Sequence, residues 1–218
     1  MNYLIIENAL PADLLQTITA SIQAGPFESG KLTAQGMAKA AKSNLQLSST
    51  ARAQLLDSIR QALYAHPAVQ AFAIPRMIGR TIINRYEVGM EYGMHSDAAY
   101  IQDVRTDVSF TLFLDDPATY HGGELVIATT AQTFTFKLPA GSMLLYPSGE
   151  LHRVAPVTQG VRHAAVGWLQ SRIRNAHQRE LIAKLSLVPR TLRQDVKYAA
   201  LATQSEQCVQ ELIRMWGD

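Results

Sequence analysis

His95 and Asp97 stand two residues apart in the stretch Asn84-Arg-Tyr-Glu-Val-Gly-Met-Glu-Tyr-Gly-Met-His-Ser-Asp97. In an extended strand, residues two apart project to the same side, so an imidazole nitrogen and a carboxylate oxygen can aim at one point. A borderline divalent metal accepts both donors. A second imidazole would complete one face of an octahedron and leave three positions open. That third ligand can come from a facing strand, far away in sequence. His152, which follows the turn Pro147-Ser-Gly-Glu150 and opens a strand-like run, is the residue chosen. A His-x-Asp tripeptide alone is more often a pair of solvated side chains, and a lone histidine at a strand start is more often simply hydrogen-bonded. The company they keep gives them weight.

Two histidines and one carboxylate with open positions is the arrangement of non-haem iron(II) oxygenases. Part of that company is Arg162, ten residues after His152 at the start of the next strand-like run. A guanidinium grips a carboxylate through two parallel hydrogen bonds. A dicarboxylic co-substrate that chelates the metal at one end needs such a partner at the other. Taken alone, Arg162 reads as an exposed turn residue after Gly160. Arg153 is a nearer rival, but it adjoins His152 and so points to the opposite face of the strand.

These side chains need a scaffold of short strands. Thr81–Val88, Asp107–Leu114, Glu124–Thr129, Thr133–Leu138, Ser142–Tyr146, His152–Val157 and His163–Gln170 are rich in β-branched and aromatic residues and separated by Gly- and Pro-containing turns. Phe110, Leu112 and Leu114 alternate with Ser109, Thr111 and Phe113. Short strands with no helices between them predict a sandwich or barrel rather than βαβ units. Ahead of them, Pro11–Gly25 and Thr50–Ala65 carry helical spacing, with Ser48, Ser49 and Thr50 available as caps and Pro67 beyond the end. A further short helix is expected around Gln35–Lys42. After Ser171, one helix is expected over Ala176–Leu187, a break at Pro189, and a second helix from Thr191 to Trp216. Its expected stripe is Leu192, Val196, Ala199, Ala200, Leu212, Ile213 and Trp216. The expected division is a helical flank over 1–78, a catalytic core over 79–172 and a helical extension over 173–218.

Composition removes several classes. With 218 residues, 47% of them hydrophobic, the chain can bury a substantial core. A formal charge of +2 with no basic block gives no support to electrostatic nucleic-acid binding. Apolar runs such as Ala164–Leu169 are far too short to span a bilayer. The single cysteine, Cys208, excludes a disulfide framework within the chain. No secretory signal is read in Met1–Leu10, so a reducing cytoplasm is expected.

The pattern Tyr86-x-x-Gly89-x-x-Tyr92-x-x-His95-x-Asp97, followed by Gly122-Gly-Glu-Leu125, Pro139-Ala-Gly-Ser-Met-Leu-Leu-Tyr-Pro147, His152 and Arg162, resembles the prolyl/lysyl-hydroxylase branch of the 2-oxoglutarate dioxygenases. Lys42-Ser-Asn-Leu-Gln-Leu47, Asn84-Arg-Tyr86, Arg105-Thr-Asp-Val-Ser109 and the helical tail narrow the likeness to bacterial PKHD-type hydroxylases, associated with iron uptake. The resemblance implies an α+β protein with a double-stranded β-helix (jelly roll) core, flanking N-terminal helices and a C-terminal helical tail. It implies iron(II), 2-oxoglutarate as co-substrate, and L-ascorbate to keep the iron reduced. By position it gives His95, Asp97 and His152 the metal, Arg162 the distal carboxylate of 2-oxoglutarate, and Tyr86 a place beside that co-substrate. Tyr92 reads as packing, Gly122 and Gly123 as turn residues, and Asn44 and Asn84 as pocket or loop residues.

The implied activity is hydroxylation of an unidentified substrate with oxidative decarboxylation of 2-oxoglutarate. Two alternatives stay open: a zinc-dependent hydrolase built on the same ligands, and a non-catalytic jelly-roll module that binds metal or a small acid. No nucleic acid or membrane partner is expected. The helical tail suits a homodimer, although packing on its own barrel would give the same stripe.

Overall fold

A computed structural model describes residues 3–33, 40–48 and 52–218. Its first strands are short: β1 (Leu4–Ile6), β2 (Phe27–Ser29), β3 (Lys42–Ser43) and β4 (Leu45–Leu47). The core strands follow as β5 (Pro75–Tyr86), β6 (Glu91–His95), β7 (Tyr100–Ile101), β8 (Val104–Arg105) and β9 (Val108–Phe113). The rest are β10 (His121–Gly122), β11 (Leu125–Ala128), β12 (Thr133–Phe136), β13 (Met143–Pro147), β14 (Leu151–Val154), β15 (Val157–Gln159) and β16 (Arg162–Ser171). A seven-stranded sheet in the order β1-β13-β9-β16-β5-β4-β2 faces a five-stranded sheet in the order β12-β11-β14-β6-β3. Neighbouring strands pair antiparallel throughout the described residues, as a double-stranded β-helix requires.

The large sheet has two different faces because its strands alternate. Ile83, Leu112, Leu145, Ala165 and Leu169 point outward and pack with Ile18, Ile22, Ile59, Leu63 and Val69 from the helices Ala12–Ala24, Ala53–Ala65 and Pro67–Ala73. Ile18, Ile59 and Val69 are completely buried, worth about 1.5–3 kcal/mol each in transfer free energy. The opposite face carries Asn84, Tyr86, Ser109, Thr111, Tyr146 and Arg162, all buried but largely polar. These residues look into the space between the sheets. One end of that space is closed by Phe113, Leu125, Ile127, Phe136 and Leu144.

Several local expectations change. Pro67 does not merely follow a helix; it opens the next one, where the His66 ring accepts from Ala68 N. A proline suits that first turn because its missing N–H would have had no helical partner. The helix Ala53–Ala65 starts after Arg52, without a side-chain cap; Ser49 and Thr50 lie outside the described residues, as does most of the helix expected around Gln35–Lys42, while Lys42 itself opens β3. The single strand expected over His152–Val157 splits into β14 and β15 at Ala155-Pro156, where proline has no N–H to donate to a ladder.

In the tail, Pro189 sits inside the helix Leu187–Leu192 instead of breaking it, since its position in the first turn sacrifices no intrahelical bond. The expected helix from Thr191 divides. A 3-10 turn at Val196–Tyr198, capped by Asp195, separates it from the helix Ala199–Trp216. The buried residues of that last helix are Ala202 and Val209, with Leu212, Ile213 and Trp216 half-buried beside Ile173 and Ile182. Val196, Ala199 and Ala200 are exposed, so that half of the expected stripe does not form. No helix among the described residues is long and apolar enough to cross a membrane.

Candidate metal centre

β14 lies between β11 and β6, and its register sets His152 directly opposite His95. The two imidazole centroids are 4.3 Å apart. β6 ends at His95, so Asp97 stands just beyond the strand, yet the two-residue spacing still turns it to the same side. One ligand atom from each of His95, Asp97 and His152 falls within 4.8 Å of the other two. His152 Nε2 and Asp97 Oδ1 are 3.8 Å apart.

The supporting bonds orient all three groups. His95 Nδ1 is 2.7 Å from Gly93 O, and His152 Nδ1 is 2.9 Å from Glu150 O. A carbonyl only accepts, so each Nδ1 carries the proton and each Nε2 keeps its lone pair for a metal. Ser109 Oγ donates to Asp97 Oδ2 at 2.5 Å, leaving Oδ1 on the side of the imidazoles. The backbone of Asp97 is tied to Ser148 O at 3.3 Å. Tyr92 stacks on the His95 ring at 3.7 Å, and Tyr146 meets the His152 ring edge-on at 5.3 Å. Burial, and next the neighbouring His152, push the His95 pKa down to about 4. His95 is therefore a neutral donor at physiological pH. Burial raises the Tyr146 hydroxyl well above its ordinary range, with Asp97 adding to the effect, so it stays protonated.

The three ligands open on a cavity of about 270 Å³ between the sheets. Arg162 lines its deep end at 1% exposure. Tyr86 is its partner across the β5–β16 ladder, and its guanidinium carbon sits 5.2 Å from the Tyr86 ring centre and 5.6 Å from that of Phe113. Its Nε and Nη2 find no hydrogen-bond partner among the described residues. A charge in that setting is costly unless an anion joins it. The Tyr86 hydroxyl is raised by burial and held back by the Arg162 charge, and that of Tyr120 behaves likewise. Gly123, at φ +68°, leaves the space: a Cβ there would come within 2.9 Å of Arg162 Cδ. Arg153 does not line the cavity.

The residues singled out in the sequence thus converge: His95, Asp97 and His152 in one cluster, Arg162 and Tyr86 side by side at the cavity's end. Asn84 also lines the cavity, accepting from Gln46 Nε2 at 3.0 Å. Tyr92, read as packing, forms part of the wall. Ser109, Tyr120, Tyr146, Lys42, Arg80 and Trp168 were not picked out as site residues. The alternation of Ser109 and Thr111 with large apolar residues was the available signal. It marks an inward polar face when the outer face is covered by helices.

The donor set suits a divalent ion of mixed nitrogen and oxygen preference, and the unpaired guanidinium suits a carboxylate. Residues 81–170 match the family profile of the 2OG-Fe(II) oxygenase superfamily. The chain is 40% identical to a PKHD-type hydroxylase of Picosynechococcus sp., over 98% of each chain, and 45% identical to one of Thermosynechococcus vestitus, over 86% of each. Among solved structures, a prolyl-4-hydroxylase of Pseudomonas putida superposes with a TM-score of 0.52 at 21% identity, covering 78% of this chain and 92% of that one; this likeness is one of fold.

Proposed function

The chain belongs to the PKHD-type hydroxylases of the 2OG-Fe(II) oxygenase superfamily, an oxidoreductase family, and on that premise we propose that it hydroxylates a small-molecule or peptidyl substrate at an iron held by His95, Asp97 and His152. The observation that carries this reading is the pairing of two features in one cavity. Three metal-competent donors lie within 4.8 Å of one another, and a buried guanidinium with two unpaired N–H groups lines the same space. Iron(II) with bound 2-oxoglutarate supplies oxygen activation coupled to oxidative decarboxylation of the co-substrate to succinate and carbon dioxide, with ascorbate keeping the metal reduced.

The chain's own residues supply placement. Gly93 O and Glu150 O hold the two imidazoles in the tautomer that presents Nε2. Ser109 fixes the Asp97 carboxylate so that only one oxygen serves the metal. Arg162 receives the 5-carboxylate of 2-oxoglutarate, with Tyr86 and Tyr120 walling it from water. Their hydroxyls, kept protonated by burial, can donate to an anion there without competing with it for charge. A link to iron uptake rests on the sequence resemblance alone. The zinc-hydrolase alternative leaves the buried Arg162 without a purpose, and membership of a hydroxylase family favours neither it nor the non-catalytic module.

Anaerobic loading of the full chain with iron(II), followed by 2-oxoglutarate and air, should release succinate, and Asp97→Ala should lower both bound iron and succinate release by at least about a hundredfold. Wild-type rates in Asp97→Ala would remove the assigned triad.

A further inference from the structure

The motif Arg105-Thr-Asp-Val-Ser109 places Ser109 in the metal centre and leaves its two charged members, Arg105 and Asp107, without a part there. Arg105 is 8% exposed, and each of its three guanidinium nitrogens has an acceptor. Nε donates to Asp107 Oδ1 at 2.8 Å and Oδ2 at 3.1 Å, Nη2 to Ser171 O at 3.0 Å, and Nη1 to Asp218 Oδ2 at 2.6 Å. Asp107 Oδ2 also accepts from Ser171 N at 2.8 Å. A buried ion pair adds little stability over a packed apolar pair. Its worth here lies in the geometry that it fixes.

What it fixes is the segment from Asp97 to Asp107. This segment leaves a metal ligand, forms the hairpin of β7 and β8, and returns just ahead of β9. Ser148 ties its two ends, accepting from Asp97 N at 3.3 Å and donating to Asp107 O at 3.4 Å. Thr106 closes the loop, with its N bonded to Ala99 O at 3.0 Å and its Oγ1 to Ala98 O. From the hairpin, Tyr100, Ile101 and Gln102 line the cavity.

They do so at the mouth. Arg80, Ile82, Asn84 and Tyr86 alternate along β5 and all line the cavity. Tyr86 registers with Arg162, so Arg80 lies six residues away, roughly 20 Å along the strand. The hairpin packs on this start of β5, where a Cβ on Gly79 would meet Val104 Cγ1 at 3.2 Å. Trp168 lines the same end, and its buried indole Nε1 has no hydrogen-bond partner among the described residues. An orphaned buried donor points to an absent acceptor, so the hairpin walls a space that a ligand enters.

The outer member of the clamp comes from the tail. Trp216 packs beside Ile173 and Ile182, Gly217 bridges to Ile173, and Asp218 N donates to Arg172 O at 3.0 Å. Arg179, 5% exposed, braces the same stretch by donating from Nη1 to Ile173 O and Arg174 O, both at 2.8 Å. The docked helix thus delivers Asp218 to Arg105. The Asp218 side chain is 41% exposed, and Arg174 Nη2 lies farther from it, at 3.9 Å. The Arg105 hydrogen bond holds its carboxyl below the ordinary range, so it is ionised at neutral pH.

We propose that Asp218 and Arg105 are positioning residues of the metal centre: through them the docked tail clamps the segment from Asp97 to Asp107, holding both the carboxylate ligand and the mouth hairpin in place. This rests on the proposed function in one respect, that Asp97 binds the metal; the clamp itself does not. Its inner half, Arg105 with Asp107, is part of the barrel. Its outer half is one exposed ion pair, which opens and closes without unfolding the core.

The test is amide hydrogen exchange of the full chain, read by mass spectrometry over residues 98–107. In the metal-free chain, Asp218→Asn should speed exchange there about threefold, within the worth of an exposed ion pair, and leave residues 162–166 at the deep end unchanged. Asp218→Glu should restore most of the protection. Arg105→Lys should speed exchange about tenfold, since one ammonium cannot serve Asp107, Ser171 and Asp218 together. Zinc should slow exchange over 98–107 in wild type and in Asp218→Asn, because metal on Asp97 favours the closed segment. Four results would each overturn the proposal: unchanged exchange in Asp218→Asn, an equal rise across the whole chain, no restoration by Asp218→Glu, or zinc protection at 92–97 and 150–154 with none at 98–107. Zinc protection nowhere would strike the assigned triad and with it the proposed function, while the metal-free comparison still decides the clamp.

Discussion

The two ends of the cavity are built in opposite ways. At the deep end, Arg162, Tyr86 and Tyr120 are 1–2% exposed, and Gly123 adopts a left-handed backbone so that the guanidinium can pass. Every wall is strand or tight turn, and the charge sits where water cannot reach it. At the mouth, Arg80 and Trp168 are half-buried, Tyr100 is largely exposed, and the wall is a two-stranded hairpin whose turn residues Gln102 and Asp103 both have positive φ. A closed, rigid end recognises one ligand with fixed geometry. An open end on loops can be altered without disturbing the barrel. On the proposed function, the deep end serves the co-substrate that every turnover uses, while the mouth is the end where loop residues can vary.

The largest test of that contrast falls on Arg162. An unpaired buried charge costs stability until its anion arrives. Arg162→Met keeps the volume and removes the charge, so two quantities should move in opposite directions. The 2-oxoglutarate requirement should rise about a hundredfold, corresponding to ~3 kcal/mol of lost charge-assisted bonding. The melting temperature of the metal-free chain should rise by a few degrees, about 2–4 °C per kcal/mol for a chain of this size. Steady-state kinetics and a thermal scan read both. An unchanged requirement would take Arg162 out of the site, and a lowered melting temperature would show that its charge is satisfied without a ligand.

Much of this arrangement was legible before any coordinates. His95 and Asp97 could be placed together because strand geometry alone fixes side chains two apart, and Arg162 could be preferred to Arg153 by the same rule. The strand pattern of 81–170 announced a sandwich because it lacked helices. What stayed hidden depended on distant partners. Strands of two or three residues, such as β3 and β4, have too little length to show a period, and Lys42 takes its place in the cavity from one of them. The role of Gly123 depends on Arg162, thirty-nine residues later. Trp168 reads as an ordinary aromatic in a strand, and only the missing acceptor for its N–H sets it apart. The tail misled because proline and the 3-10 turn act through local backbone geometry, while the 3.6-residue period continues across both.

A smaller effect is expected at Gly123, where the deep end is held open by the absence of a side chain. Gly123→Ala places a Cβ 2.9 Å from Arg162 Cδ and forces a φ of +68° on a residue with a side chain. The cost should be about 1–2 kcal/mol of stability, with roughly a tenfold rise in the 2-oxoglutarate requirement as the guanidinium shifts. Gly149, whose Cβ would meet nothing within 4 Å, is the control, and Gly149→Ala should stay within about 0.5 kcal/mol of wild type. Chemical denaturation of the two variants separates them. Equal stabilities would mean that the deep end yields as easily as a surface turn, and the contrast between the ends would be lost.

The smallest effect concerns His95, on the floor between the two ends. Its pKa is lowered to about 4 by burial and by His152, against an unfolded value near 6.5. Above about pH 6.5 the imidazole is neutral in both states and contributes no pH dependence. As the pH falls from there to about 4, the unfolded chain takes up a proton that the folded chain refuses, so stability declines through that window. Below about 4 both states are protonated and the decline stops. The metal-free wild type should therefore lose melting temperature between pH 6.5 and 4, and His95→Gln should lose less over the same range. Parallel curves for the two proteins would mean that His95 accepts its proton readily while folded. The floor would then be as open to water as the mouth, and metal binding would have to displace protons from a ligand that the geometry otherwise presents free.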